Sequence, residues 1–294
     1  MLYEASKGCL LVLEPHRIPC PGGVLFCYNS VMKIHVLDGA GSAGRTSGII
    51  DHTVNRLKEK LDISEAKWIN YPASMMGVGG NKTWEESSRE GVRLLMEEML
   101  SHDEDVILLS YSAGNKPLHD FIEMFPEFHD RIRAVGFMSD PWRPRERYQA
   151  GTPAPIGWGI KGERRGPIPE KSFWTSVYND AISAAYPDAL IRYAADVSEG
   201  SPDEIIIKAI NLSKLSNFQL SWQLGVVKNE PLRWFFGLGG RIAQLGADVR
   251  GYLTGAHTND YIVPFKTTDG KSESLAVRLA DTIAWKVKKD LGLV

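Results

Sequence analysis

Val106-Ile107-Leu108-Leu109-Ser110-Tyr111-Ser112-Ala113-Gly114 decides the reading of this chain. Four apolar residues run into Ser-Tyr-Ser-Ala-Gly, and a helix-compatible segment follows from Asn115 to Met124. A strand, a very tight turn and a helix in that order make a nucleophile elbow, which lifts a serine hydroxyl to the apex of the turn. Strand and helix nearly touch there, so the residues two before and two after the serine must be small. Ser110 and Gly114 stand in those places, Ser110 being a departure from the usual glycine. S-x-S-x-G alone is a weak signal, and the flanking strand and helix are what raise it above chance.

Working outward, a regular pattern begins at Met32. Ile34, Val36 and Leu37 read as a strand, followed by the glycine-rich stretch Asp38-Gly39-Ala40-Gly41-Ser42-Ala43-Gly44. Ser47–Leu61 reads as an amphipathic helix with Ile50, Val54, Leu57 and Leu61 on one face. Trp68–Tyr71 is a second strand candidate, stopped by Pro72, and Trp84–Leu100 a helix. Beyond the elbow, Ile132–Met138 and Leu190–Ala194 read as strands and Ser272–Leu291 as the last helix. Short apolar strands alternating with helices imply an α/β fold: a mostly parallel sheet covered on both faces. Two regions interrupt the alternation. Trp142–Pro169, rich in Pro, Gly and Arg, is expected to be a long surface loop, and Ile205–Leu253 a late helical insertion. Residues 1–31 show no sustained period and are expected to be a poorly ordered, dispensable extension, with Met32 fit to be a start codon. Residues 32–294 are then one domain.

The 294 residues are 43% hydrophobic, enough for a sizeable core. A net charge of -2 argues against a dedicated nucleic-acid binder. No apolar run approaches the roughly 18 residues of a membrane span, so no stable membrane insertion is expected. The patch Cys9–Leu13 ends at Glu14 and Pro15, too short and broken for a secretory signal, and points to synthesis in a cytoplasm. Cys9, Cys20 and Cys27 all precede Met32, with only His16 and His35 near them, and are read as free thiols rather than metal ligands. The oligomeric state is not legible.

A serine becomes a nucleophile when a base takes its proton and a carboxylate orients that base. In the order Ser, then acid, then His, only His119, His129 and His257 follow Ser112. His119 sits in the helix after the elbow and His129 just before the next strand, leaving no room for an acid on a separate strand end. His257, in the small and polar stretch Leu253–Tyr261, is the expected base. The acid is sought after the strand Leu190–Ala194, where Asp203 is the first choice and Asp196 the second. Backbone N–H donors for an oxyanion are expected from Ala113 and from the glycine-rich loop, at Ala40, Gly41 and Ser42. The same loop, Gly39–Gly44, matches the dinucleotide fingerprint G-x-G-x-x-G, which keeps an oxidoreductase as the rival reading. That fingerprint also expects an acid at the end of the second strand, and Asn70-Tyr71-Pro72 supplies none.

Taken together these residues resemble the lysin B enzymes of mycobacteriophages, cutinase-like serine esterases. Ser110-Tyr111-Ser112-Ala113-Gly114 resembles their Gly-Tyr-Ser-Gln-Gly, Asn70-Tyr71-Pro72-Ala73 their Tyr-Pro-Ala, and Ser139-Asp140-Pro141 their Gly-Asp-Pro or Gly-Asn-Pro. Gly157-Trp158-Gly159-Ile160 is similar to a glycine-rich segment in the loop beyond, and the insertion before His257 to the family's linker region. The chain departs from the pattern at Ser110 and Ser139, which replace glycines, and at Asp38, where many members have His. The resemblance implies an α/β-hydrolase fold without a cofactor. It implies hydrolysis of the ester joining mycolic acids to arabinogalactan, on the outer envelope after release from the host cytoplasm. A general cutinase or lipase-like carboxylesterase and a catalytically dead envelope-binding relative remain as alternatives. The aromatic residues Phe218, Trp222, Trp234, Phe235 and Phe236 of the insertion are expected to border the active-site mouth.

Overall fold

A computed structural model describes residues 31–74, 79–192, 238–268 and 270–294 of the chain. Five parallel strands form the central sheet: β1 (Met32–Leu37), β2 (Ile63–Trp68), β3 (Asp105–Tyr111), β4 (Ile132–Met138) and β5 (Ser172–Thr175), in the order β2-β1-β3-β4-β5. Helices α1 (Asp51–Lys60), α2 (Trp84–Leu100) and α3 (Asn115–Met124) connect them. Helix α4 (Leu238–Gly251), a two-stranded hairpin of β6 (Phe265–Lys266) and β7 (Ser272–Glu273), and α5 (Leu275–Asp290) follow.

Alternation along the strands builds two cores. Ile34 and Val36 of β1 and Ile107 and Leu109 of β3 pack with Val54 and Leu57 of α1 and Leu279, Ile283 and Val287 of α5. Val106 and Leu108 face the other way, toward Val92, Leu95 and Met99 of α2 and Leu118, Phe121 and Ile122 of α3. A strand buried on both faces reads as a continuous apolar run, which is why β3 was plain in the sequence. Helix α2 starts at a reciprocal capping box: Thr83 Oγ1 accepts from Glu86 N at 3.1 Å, and Thr83 N donates to Glu86 Oε2 at 2.9 Å.

The strand order reverses direction between β1 and β3. Parallel sheets open a crevice at such a point, at the carboxyl ends of the strands. The glycine-rich loop after β1 and the turn after β3 both lie there. With a nucleophile elbow leaving the central strand, this is the α/β-hydrolase architecture.

Three expectations are corrected. The second strand is Ile63–Trp68, ending where Trp68–Tyr71 was expected to begin. As an edge strand, Ile-Ser-Glu-Ala-Lys-Trp is half exposed and carries no apolar run. Leu190–Ala194 is not a strand over its described residues: 190–192 are helical. The last strand of the sheet is instead β5, only four residues long. Finally, the Trp142–Pro169 segment is no surface loop, because Arg143, Ile160 and Ile168 within it are buried. The Arg143 guanidinium makes this possible. It donates to the carbonyls of Ser183, Pro144, Arg145, Arg147 and Gly157, satisfying loop backbone that has no ladder of its own. Of the helical insertion, only the part from residue 238 on lies among the described residues, and the aromatic residues named above fall outside them.

Candidate active site

Ser112 follows the last residue of β3 with φ of 51°, in the left-handed region that a serine enters only under strain. Strand and helix close so tightly that a Cβ on Gly114 would stand 2.0 Å from the Leu37 carbonyl oxygen. The serine at the other small position is not idle. Ser110 Oγ donates to Asn115 Oδ1 at 2.7 Å, and Asn115 Nδ2 donates to the carbonyls of Ser112 at 2.8 Å and Met138 at 3.0 Å. Replacing the usual glycine thus ties the elbow to the end of β4.

Ser112 Oγ lies 2.8 Å from His257 Nε2. The histidine sits just past a π-helical turn, Tyr252–Ala256, and is buried. Its ring is stacked between Tyr111, at 5.5 Å between centroids, and Tyr252, at 4.7 Å. The Tyr111 hydroxyl also donates to the His257 carbonyl at 2.5 Å. Ring and backbone are therefore both held.

His257 Nδ1 faces two oxygens: Ser139 Oγ at 2.9 Å and Asp180 Oδ1 at 3.2 Å. Asp180 is fully buried in the loop after β5. Its Oδ2 accepts from Tyr261 at 2.7 Å, from Ser183 Oγ at 2.9 Å and from Ser139 Oγ, and its Oδ1 accepts from Ile182 N at 3.1 Å. Burial alone would raise this carboxyl, but the facing His257 and the donors on its oxygens outweigh that and hold it below the ordinary aspartate range. An ionised carboxylate at Nδ1 places the imidazole proton on Nδ1 and leaves the Nε2 lone pair toward Ser112.

The carboxylate beside His257 is thus not one of the two expected from the sequence. Asp203 and Asp196 lie outside the described residues. Asp180 follows a strand end, as the Ser-acid-His order requires, but the four-residue β5 between polar flanks hides that strand from any search by apolar runs. Tyr261, Ser183 and Tyr111 were likewise not singled out. His119, passed over as the base, is buried and engaged elsewhere: its Nε2 lies 2.9 Å from Asp140 Oδ2, which also accepts from Trp174 Nε1 at 2.8 Å.

Of the four expected oxyanion donors, two are already bonded to backbone carbonyls. Gly41 N donates to the Ala73 carbonyl at 2.9 Å and Ser42 N to the Gly39 carbonyl at 3.2 Å. Ala40 and Ala113 make no such bond among the described residues and pack together against Trp84 and Trp142. Trp84 Nε1 donates to the Ala113 carbonyl at 3.1 Å, and its ring stacks on Trp142 at 5.4 Å. The Asp38 side chain shapes this loop: Oδ1 accepts from Gly39 N and Oδ2 from Ser47 N, each at 2.7 Å. Near the loop after β5, a cavity of about 240 Å³ is lined by Pro153, Val177, Tyr178, Val263, Pro264 and Phe265. No described helix is long and apolar enough to cross a membrane.

No protein-family model and no curated protein matches this chain. Among solved structures it is similar to lysin B from mycobacteriophage D29, at 16% identity over 78% of this chain and 91% of that one, with a TM-score of 0.47. It is similar to an acetylxylan esterase at 19% identity over 54% of this chain and 87% of that one, TM-score 0.43. A cutinase-like protein from Cryptococcus sp. shares 12% identity over 52% of this chain and 78% of that one, TM-score 0.42.

Proposed function

We propose that the chain is a serine esterase in which Ser112 is the nucleophile, His257 the base and Asp180 the acid. The observation that carries this reading is the 2.8 Å approach of Ser112 Oγ to His257 Nε2 at a left-handed elbow. Ser112 Oγ attacks the ester carbonyl as its proton passes to Nε2. The resulting imidazolium is stabilised through Nδ1 by Asp180, with Ser139 Oγ sharing the same proton. The N–H groups of Ala113 and Ala40 are the donors available to the carbonyl oxygen as it becomes an anion. Nε2 then returns its proton to the leaving alcohol, and water releases the acyl group by the reverse sequence.

The glycine-rich loop favours this over the dinucleotide reading. A pyrophosphate needs the loop's N–H groups. Here Gly39 N donates to the Asp38 carboxyl, Gly41 N to the Ala73 carbonyl and Ser42 N to the Gly39 carbonyl, so these donors are already taken.

As substrate we propose the ester between mycolic acids and arabinogalactan. The support is the resemblance of Asn70–Ala73, Ser110–Gly114 and Ser139–Pro141 to the lysin B motifs.

The experiment pairs wild type with Ser112→Ala. A fluorophosphonate probe is expected to label only the wild type, and ester hydrolysis to fall by several powers of ten in a folded variant. Retained hydrolysis would sink the esterase reading. Cleavage of p-nitrophenyl acetate without long-chain esters, and no free mycolate from treated mycobacterial wall, would keep the esterase and remove the mycolyl substrate.

A further inference from the structure

A second group of chemistry-bearing side chains lies on the α2 side of the sheet, near the start of β3 and away from the elbow at its other end. His35 of β1, Glu98 of α2 and His102 just beyond α2 each offer one ligand atom, and these atoms all lie within 4.8 Å of one another. The two imidazoles meet through their Nε2 atoms at 3.0 Å. We propose that His35, Glu98 and His102 bind one zinc-class divalent cation.

The donor set is two imidazoles and a carboxylate, the chemistry borderline cations such as zinc select. Two nitrogens bound at about 2.0–2.1 Å to a tetrahedral ion stand roughly 3.3–3.4 Å apart. The histidines therefore part by only a few tenths of an ångström to admit it. Glu98 lies in the last turn of α2 and His102 four residues on, just past the end of that helix, while His35 comes from β1. Two of the three ligands thus come from one short stretch of chain and the third from the sheet. His35 is buried, and the His102 and Glu98 side chains are only 5% and 12% exposed, so three protein ligands leave one position for water.

The surroundings suit both the metal-free and the bound form. His102 Nδ1 has an acceptor, Glu104 Oε2 at 3.1 Å, and a donor, Arg131 Nη2 at 3.0 Å. Without metal, Arg131 donates to Nδ1, and the His102 Nε2 proton is shared with His35. With metal, the proton moves to Nδ1 and is accepted by Glu104, freeing the Nε2 lone pair. A carboxylate behind a ligating histidine is the usual second layer of such sites. Arg131 loses little in this exchange, because it also donates to the carbonyls of Met99 and Glu104. Lys67, the cation now on Glu98, is half exposed and free to swing into solvent. No local motif announces this set, because His35 and Glu98 stand 63 positions apart in the chain.

The test is zinc titration of the full chain, stripped of metal, against a chromogenic chelator, with cobalt as a spectroscopic stand-in. We expect one equivalent of zinc bound with micromolar or tighter affinity, and a rise in melting temperature with added zinc. Cobalt is expected to give the strong visible absorption of a low-coordinate site. Glu98→Gln, which keeps the side-chain shape, and His102→Gln are each expected to weaken binding at least tenfold. If His102→Gln does not fold, Glu98→Gln decides alone. No bound zinc in the wild type, or the same affinity in folded Glu98→Gln, would overturn the site.

Discussion

Ser139 donates its hydroxyl proton to Asp180 Oδ2 and thereby joins the end of β4 to the loop after β5. Ser139 Oγ also stands 2.9 Å from His257 Nδ1, closer than Asp180 Oδ1 at 3.2 Å. A residue that replaces a glycine of the resembling family has become part of the histidine's support. It does so with φ of 50°, in the region where glycine is at ease.

Ser139→Ala and Ser139→Gly separate these two facts. Hydrogen bonds to a charged group contribute about 1.5–3 kcal/mol, so either change is expected to lower kcat by roughly tenfold or more. Only glycine also relieves the left-handed backbone, which costs an ordinary residue about 1–2 kcal/mol. Ser139→Gly is therefore expected to melt above Ser139→Ala while matching it in rate. Unchanged kcat in both would make Ser139 a packing residue only.

Asp180→Asn is expected to cost about 10⁴ in kcat, because the amide holds the imidazole in the wrong tautomer. Asp203→Asn and Asp196→Asn are expected to leave the rate within a few-fold of wild type. A large loss at either, with activity kept in Asp180→Asn, would move the acid back to the stretch first read from the sequence.

Tyr261→Phe tests the acid pH response. The Asp180 carboxyl titrates below the roughly 3.9 of an unfolded aspartate, so the stability linked to it is present above that pH. It is lost as pH falls through the folded value. Removing the Tyr261 donor raises the folded value toward the unfolded one and shrinks the linked stability. In denaturant titrations from pH 6 downward, the variant is expected to be weaker than wild type at pH 6, with the gap narrowing below about pH 3. A gap constant with pH would mean that Tyr261 contributes packing alone.

Arg143→Met is expected to be among the most destabilising single changes, by several kcal/mol. It strips donors from five buried or partly buried carbonyls, each costing about 1–3 kcal/mol when left unpaired and unhydrated. Arg143→Lys is not expected to rescue, since one ammonium cannot span the same fan of acceptors. Because Arg143 also holds the Ser183 carbonyl, the loop carrying Asp180 should loosen, and hydrogen exchange around residues 176–185 is expected to accelerate. A melting temperature within a degree or two of wild type would show that solvent replaces the guanidinium.

Local patterns by themselves determined much of this protein. Buried parallel strands must be apolar on both faces, so Val106–Leu109 and Ile132–Met138 declare themselves, and the tight turn after β3 can be built only from small residues around Ser112. Chain order then left His257 as the histidine able to follow an acid on its own strand end. What no local pattern carries is a position defined by something distant. β2 is a strand because β1 supplies its ladder, and β5 because β4 does, not because either sequence is apolar. Asp180 is buried and ionised because Tyr261, Ser139 and His257 converge on it from far along the chain, beside the neighbouring Ser183. The segment Trp142–Pro169 lies inward because Arg143 satisfies its carbonyls, and the meeting of His35 with Glu98 and His102 arises only when α2 is laid across the sheet. Period and turn chemistry are written in neighbouring residues; the partners that satisfy a buried charge are chosen by the tertiary fold.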